Sequence, residues 1–181
     1  MPANHSDRRG LESAAVASGI VAAAAAATLA GAWFFQYVLK LPPCPLCLDE
    51  RVPYYVAVPV AILIGVAAMR TAPRTLVLGG LIIIGLLMAA SATLGVYHSG
   101  VEWQWWPGPR DCSGPLSEFG DARDLLKQLQ SVQVVRCDEA AWRFLGLSLA
   151  GYNALISLGL AIVALWAIVA VARRPLFEHK G

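Results

Sequence analysis

The stretch C-P-L-C-L-D-E-R, from Cys44 to Arg51, organises this chain, because it places a dithiol between two long apolar segments. A C-x-x-C spacing is the commonest arrangement of redox-active thiols. Pro42 and Pro43 stop the preceding helix, so we expect Cys44 to open the next one. The partial positive charge of a helix N-terminus favours the thiolate there. Half of a zinc site uses the same spacing, and the stretch alone leaves that alternative open.

Arg51 is the second feature of this stretch. If residues 47–51 are helical, Arg51 lies one turn after Cys47 on the same face. Its permanent positive charge would favour a thiolate, or an electron-rich adduct on it. The alternative is that Arg51 reaches out to the membrane interface, or pairs with Glu50 or Asp49.

Composition indicates a membrane protein. Of the 181 residues, 57% are hydrophobic and 14% are charged, whereas soluble domains carry about 25% charged residues. The net charge of +2 is small and gives no sign of a nucleic-acid partner. We therefore expect one integral membrane domain over residues 1–181.

Four apolar runs have about the length needed to cross ~30 Å of hydrocarbon. They cover about residues 13–39, 52–69, 75–97 and 144–172. The first run is longer than the core of a secretory signal, about 7–15 residues, so we expect it to be kept. Pro59 lies inside the second run and predicts a kink. The predicted fold class is all-α, an integral membrane four-helix up-down bundle.

Two external loops are expected, over about residues 40–51 and 98–143. The longer loop carries the other two cysteines, Cys112 and Cys137. Glycine and proline residues on both sides of Cys112 predict a flexible segment that another protein can reach. The segment 121–132 predicts a short amphipathic helix, with an aspartate cap and leucines on one face.

The start of the long loop carries polar and aromatic residues with two possible uses. A lone histidine at an interface, such as His98, is either structural or functional. Glu102 is expected to be a solvated loop charge. Trp103, Trp105 and Trp106 suit either an aromatic belt at the membrane interface or the wall of a cofactor site.

Basic residues near the helix ends predict the orientation. One side holds the N-terminus, residues 70–74 and the C-terminus, with seven basic and three acidic residues. The other side holds seven basic and nine acidic residues, and many of these basic residues lie in the long loop, where the rule weighs them less. The first side is therefore expected to be cytoplasmic. All four cysteines then lie outside, where disulfides persist.

Together these residues resemble the bacterial disulfide bond formation protein B (DsbB) family. The string C-x-x-C-x-x-E-R, from Cys44 to Arg51, and the pattern H-x-G-x-E…G-P-x-x-C, from His98 to Cys112, carry the resemblance, which covers nearly the whole chain. It implies a multi-pass protein of the bacterial inner membrane with both termini in the cytoplasm. It implies reoxidation of a periplasmic, thioredoxin-fold oxidase of the DsbA type, with electrons passing to the membrane quinone pool, as ubiquinone or menaquinone.

The resemblance also implies an order of thiol exchange. The partner's thiolate would attack Cys112, whose disulfide mate would be Cys137. Cys137 would then attack the Cys44–Cys47 disulfide at Cys44. Cys47 would be released as the thiolate that faces the quinone.

Arg51 and His98 match the family residues near the quinone, and we expect no bound metal.

Two rival classes of protein remain. The vitamin K epoxide reductase type also combines a helix bundle, thiol pairs and a quinone, but its C-x-x-C follows the loop cysteines, whereas here it comes first. A membrane scaffold or assembly subunit would instead hold two static disulfides, or one zinc ion bound by all four cysteines.

Overall fold

Four long helices dominate the computed structural model, which describes residues 5–109, Cys112 and residues 136–173. The helices are α1 (His5–Trp33), continued by a π-helix (Phe34–Val38), then α2 (Pro45–Asp49), α3 (Val52–Met69), α4 (Arg74–Glu102) and α5 (Leu149–Ala172). A small antiparallel hairpin of β1 (Arg143–Phe144) and β2 (Leu147–Ser148) precedes α5. The amphipathic helix predicted over 121–132 lies outside the described residues.

Within the described residues, four helical segments are long and apolar enough to cross a membrane, which confirms the predicted all-α, four-span fold. They are Arg8–Val38, Pro45–Met69, Arg74–Glu102 and Leu149–Ala172. Helix α1 packs mainly on α3, and α4 packs mainly on α5. Contacts of α1 with α5 and of α3 with α4 close the four helices into a bundle.

Small residues face the inside of this bundle, and large apolar residues face outward. Ala17 and Ala25 of α1 are fully buried, and small side chains of this kind let helices approach closely in a membrane. Leu63, Leu86 and Leu165 point away from the bundle and are exposed. This distribution fits a surrounding solvent of lipid, because aliphatic side chains then need no protein cover.

Helices α4 and α5 come closest at Gly95. A Cβ atom added to Gly95 would lie 2.8 Å from the backbone nitrogen of Ala154. At the far end of α4, Arg74 donates a hydrogen bond from Nε to the carbonyl oxygen of Val171, at 2.8 Å. Close packing at Gly95 and the hydrogen bond from Arg74 to a carbonyl group in the last turn of α5 therefore both hold α4 against α5.

Three helix ends differ from those predicted from the sequence, and the first is the start of α1, at His5 rather than near residue 13. Helix α4 continues five residues beyond Tyr97 and ends at Glu102. The last span begins at Leu149 rather than at 144, because Ser148 caps α5 by accepting a hydrogen bond from the backbone N–H of Gly151 at 3.2 Å. Gly146 turns the preceding hairpin with φ of +84°, a conformation that glycine adopts without strain.

Replacement of Gly95 by alanine is expected to destabilise the bundle by about 1–3 kcal/mol, because the added methyl group overpacks the α4–α5 contact. Gly79→Ala in the same helix is the matched control, since nothing lies within 4 Å of its Cβ position. That control should be neutral or stabilising by up to about 1 kcal/mol. Thermal unfolding of both purified variants in detergent checks the difference, and equal melting temperatures would contradict it.

Candidate functional site

Cys44 is the N-cap residue of α2, as the sequence predicted. Its backbone is extended, with φ of −74° and ψ of 166°, and its Sγ accepts a hydrogen bond from the backbone N–H of Cys47 at 3.2 Å. Pro45 occupies the first helical position, where its missing N–H has no intrahelical partner to lose. The proline inside the C-x-x-C therefore helps to begin the helix.

The two sulfur atoms of the C-x-x-C lie 2.7 Å apart, and both cysteines are free. Cys44 is buried and Cys47 is half-buried. The hydrogen bond with the Cys47 side chain lowers the pKa of the Cys44 thiol, against the opposing effect of burial. Within the reduced pair, the geometry therefore favours negative charge on Cys44.

His98 connects this dithiol to a buried carboxylate. It lies in the last turn of α4 and is 2% exposed. Its Nδ1 is 2.7 Å from Oε1 of Glu50, and its Nε2 is 3.5 Å from Sγ of Cys44. Because a carboxylate accepts the Nδ1 proton, Nε2 is left facing the sulfur. His98 is thus held by its partners inside the protein.

Glu102 joins the same site from one turn further along α4, which corrects its expected place in a solvated loop. It is 8% exposed, and its Oε1 lies 3.9 Å from Nε2 of His98. Its Oε2 is buried and has no hydrogen-bond partner among the described residues. The sequence signal for this contact is the i, i+4 spacing of His98 and Glu102. It places both side chains on one helix face only if α4 continues past Tyr97, as it does in the structure.

The dithiol opens into a cavity of about 230 Å³. Cys44, Cys47, His98 and Glu102 line this cavity, together with Arg136 and Glu139 from the end of the long loop. Arg136 is exposed and forms a bidentate ion pair with Asp138 at 2.6 and 3.0 Å. The pKa of Asp138 is lowered by this pairing.

Arg51 lies apart from that cavity. Its Nη1 donates a hydrogen bond of 2.6 Å to Oε1 of Gln36 in the π-helix. Within the described part of the chain it forms no ion pair, so the alternative in which Arg51 pairs with Glu50 or Asp49 is not seen. The structure therefore brings His98 to the dithiol and directs Arg51 towards α1.

Cys112 and Cys137 form a disulfide, with Cα atoms 5.3 Å apart. Both are buried, and they share one apolar cluster with Cys44, Leu46 and Val101. Cys112 was expected to be reachable, but the structure leaves it only 5% exposed because this cluster covers it. The bond between the two loop cysteines also removes two ligands from the alternative four-cysteine zinc site.

The tryptophans do not line the cavity. Trp106 donates from Nε1 to the carbonyl oxygen of Tyr97 at 2.8 Å and stacks on its ring, with centroids 6.1 Å apart. A Cβ atom at Gly100 would collide with the Trp106 ring, which explains a glycine between His98 and Glu102. Trp105 is exposed. This arrangement fits an aromatic belt at the interface rather than a cofactor wall.

Two cysteine pairs packed together at the end of a four-span bundle define a membrane thiol–disulfide oxidoreductase. The family model for "Disulfide bond formation protein DsbB" matches residues 14–167. The chain belongs to this family, and its activity lies in disulfide bond formation at a membrane.

Relatives named Disulfide bond formation protein B cover most of the chain. That of Polaromonas sp. (strain JS666) is 30% identical over 86% of this chain and 90% of its own. That of Shewanella sp. (strain ANA-3) is 30% identical over 84% and 85%. That of Xanthomonas oryzae pv. oryzae is 34% identical over 86% and 90%. No solved structure matches the chain.

Replacement of Cys47 by alanine is expected to raise the pKa of Cys44, because the hydrogen bond that lowers it is lost. Less thiolate is then present at neutral pH, so alkylation of Cys44 slows and its pH–rate curve moves to higher pH. Mass spectrometry of the iodoacetamide-treated, reduced protein measures this rate. Leu48→Ala, an exposed change in the same helix, is the control. A curve unchanged by Cys47→Ala would contradict the assignment.

Proposed function

We propose that this chain is a thiol oxidase that reoxidises a periplasmic, DsbA-like dithiol oxidase and passes the electrons to a membrane quinone. The observation that carries the proposal is the single buried cluster that holds Cys44 together with Cys112 and Cys137. Electrons move between cysteine pairs by direct attack of one sulfur on another. Two pairs in one cluster at a membrane-spanning helix are suited to that exchange.

The exchange proceeds in balanced steps. The partner's thiolate attacks Cys112, forms a mixed disulfide and releases Cys137 as a thiolate. The partner's second thiol then displaces Cys112 and leaves with the new disulfide. The reduced loop pair gives its two electrons to the C-x-x-C when Cys137 attacks Cys44 and releases Cys47. Cys112 then attacks Cys137, which re-forms the loop disulfide, breaks the Cys137–Cys44 bond and releases Cys44 as a thiolate.

Burial of Cys112 gives the first step a structural requirement. Because the sulfur is covered by the cluster it shares with Val101 and Cys137, the partner reaches it only when the cluster opens. A covered disulfide is shielded from small thiols, while a docked protein supplies binding energy for the opening. The proposal therefore includes a docking step before the first exchange.

A quinone is the electron sink that the energetics favour. A DsbA-type partner has a potential near about −120 mV, so only a sink of higher potential can accept its electrons. When bound, a quinone takes up two electrons and two protons. Cys47 and His98 would hold its head group, since they line a cavity that combines polar groups with the apolar surfaces of Pro42 and Ala140. Arg51 would act by its charge from the side of Gln36.

The orientation that we propose places the cysteines in the periplasm and both termini in the cytoplasm, in the inner membrane. Its support is the basic residues at 8–9, 70–74 and 173–174, which fit the cytoplasmic side. Arg74 begins α4 and His98 lies in its last turn. A helix of this length rises about 1.5 Å per residue, so the basic end and the dithiol end are on opposite faces of the membrane.

A Cys137→Ser variant is expected to form a mixed disulfide with an oxidised DsbA-like partner, because its free Cys112 thiolate attacks the partner's disulfide and releases the partner's second cysteine as a thiolate. The adduct accumulates because no Cys137 thiol remains to displace the partner from Cys112. Non-reducing electrophoresis and mass spectrometry identify the linked residues. Cys112→Ser is the control and should give no adduct. A trapped link through Cys44 would overturn the order of exchange.

Arg51→Ala is expected to lower kcat/KM for quinone by roughly tenfold, equivalent to about 1.4 kcal/mol, because the cation no longer stabilises developing negative charge. Arg51→Lys should lose less, since it keeps the charge but not the planar fork. Steady-state assays across quinone concentrations measure both. Arg70→Ala, at the end far from the dithiol, is the matched control. A lower melting temperature with unchanged quinone kinetics would assign Arg51 a structural role.

A further inference from the structure

We propose that the reduced C-x-x-C, with His98 and Glu102, is a binding site for a zinc ion that forms only in the dithiol state. The Sγ atoms of Cys44 and Cys47 and a ring nitrogen of His98 lie within 4.8 Å of one another. Two cysteine sulfurs and an imidazole nitrogen are three of the four ligands of a tetrahedral Zn²⁺ site.

The distances fit such an ion after a small movement. With Zn–S near 2.3 Å and Zn–N near 2.0–2.1 Å, tetrahedral geometry requires about 3.5 Å between sulfur and nitrogen, and about 3.8 Å between the sulfurs. Nε2 of His98 already lies 3.5 Å from Sγ of Cys44. The sulfurs, at 2.7 Å, must separate by about 1 Å. The half-buried Cys47 side chain can make this movement while Cys44 keeps its place as the helix cap.

Glu102 would supply the fourth ligand after a movement of its side chain, because its oxygens lie outside the group of atoms, all within 4.8 Å of one another, that the two sulfurs and the imidazole nitrogen form. Its Oε1 lies 3.9 Å from Nε2 of His98, and its Oε2 is a buried oxygen with no partner in the described part of the chain. A buried carboxylate oxygen without a partner is costly. A cation between Glu102, His98 and the two sulfurs would satisfy it.

Glu50 gives His98 the outer contact that zinc-bound histidines usually make. Its Oε1 is 2.7 Å from Nδ1 of His98. Histidine ligands of zinc commonly donate their second ring N–H to a carboxylate, which fixes the tautomer and the ring orientation. Glu50 is therefore a positioning residue for this site and not a ligand.

Oxidation state controls the site. Binding of Zn²⁺ to the dithiol displaces two thiol protons and forms two Zn–S bonds, with no change in redox state. A Cys44–Cys47 disulfide has no thiolate to offer, so the oxidised protein loses the site. If the proposed function holds, a bound ion keeps the dithiol from passing its electrons on and stops turnover in the reduced state.

The test uses the full chain in detergent, carrying Cys112→Ser and Cys137→Ser so that the C-x-x-C supplies the only thiols. Zn²⁺ alone is the probe, with affinity from competition against a chromophoric chelator and stoichiometry from metal analysis. One ion per chain is expected in the reduced protein and none after oxidation. The visible spectrum with Co²⁺ in place of Zn²⁺ should show tetrahedral coordination by sulfur. Equal binding in both redox states would overturn the proposal.

Single substitutions identify the other ligands. His98→Ala and Glu102→Gln should each weaken binding, and Glu50→Gln should weaken it by about 10–100-fold through misorientation of His98. Glu139→Gln, which changes an exposed carboxylate that also lines the cavity, should leave the affinity unchanged. If His98→Ala does not fold, His98→Asn keeps a hydrogen-bonding side chain without the imidazole. If substitution of His98 and Glu102 left the Zn²⁺ affinity unchanged, the two cysteines alone would bind the ion and the proposed site would be refuted.

Measurements of enzyme turnover distinguish the zinc-site proposal from the proposed thiol oxidase function, on which only the inhibition by zinc rests. With wild-type protein, added Zn²⁺ should slow oxidation of the DsbA-like partner, and a chelator should restore the rate. Stoichiometric binding without inhibition would overturn the regulatory consequence and leave the site intact. Zinc-free protein that binds the ion when reduced, but never oxidises the partner, would refute the proposed function and not the zinc site.

Discussion

The hydrogen bond of 2.7 Å between Glu50 and His98 is the interaction on which the site depends. It joins the junction of α2 and α3 to the last turn of α4. Both side chains are buried at the end of an apolar bundle, where each alone would be costly and only the pair is acceptable. The bond orients Nε2 of His98 towards Cys44, and Cys44 in turn begins α2. Loss of the pair would therefore disturb the histidine, the sulfur and the helix together.

A network of buried polar side chains holds the backbone of Glu50 in place beneath the Glu50–His98 pair. The Ser91 hydroxyl donates to the carbonyl oxygen of Glu50 at 3.4 Å. Ser91 in turn accepts hydrogen bonds from the Ser157 hydroxyl at 3.0 Å and from the Asn153 amide at 3.4 Å. The Tyr54 hydroxyl lies 2.7 Å from that of Ser157. These side chains come from α3, α4 and α5. Inside a membrane, polar groups must find partners within the protein. The site is thus supported by three helices through contacts that lipid cannot replace.

The spans and the cap at Cys44 could be predicted from the sequence because each depends on local physics. Apolar length defines a span, and Pro42 and Pro43 force a new helix start. The role of Glu102 could not be predicted, because apolar periodicity fades after Tyr97 and the last turn of α4 is covered by segments distant in sequence. Burial of Cys112 was missed for a similar reason. The glycine and proline residues near Cys112 indicate only the local flexibility of the chain, whereas Cys112 is buried by tertiary contacts with residues distant in sequence.

The unequal burial of the four sulfurs has a consequence for selectivity. Cys44, Cys112 and Cys137 are enclosed by apolar neighbours, and Cys47 alone is half-open. Attack on a sulfur requires access along the line of the bond that breaks. Small soluble thiols therefore cannot reach Cys44, Cys112 or Cys137 without movement of the cluster, whereas the Cys47 sulfur is open to them. If the proposed function holds, this burial limits the loss of oxidising equivalents to small reductants without a separate element that has to recognise each of them.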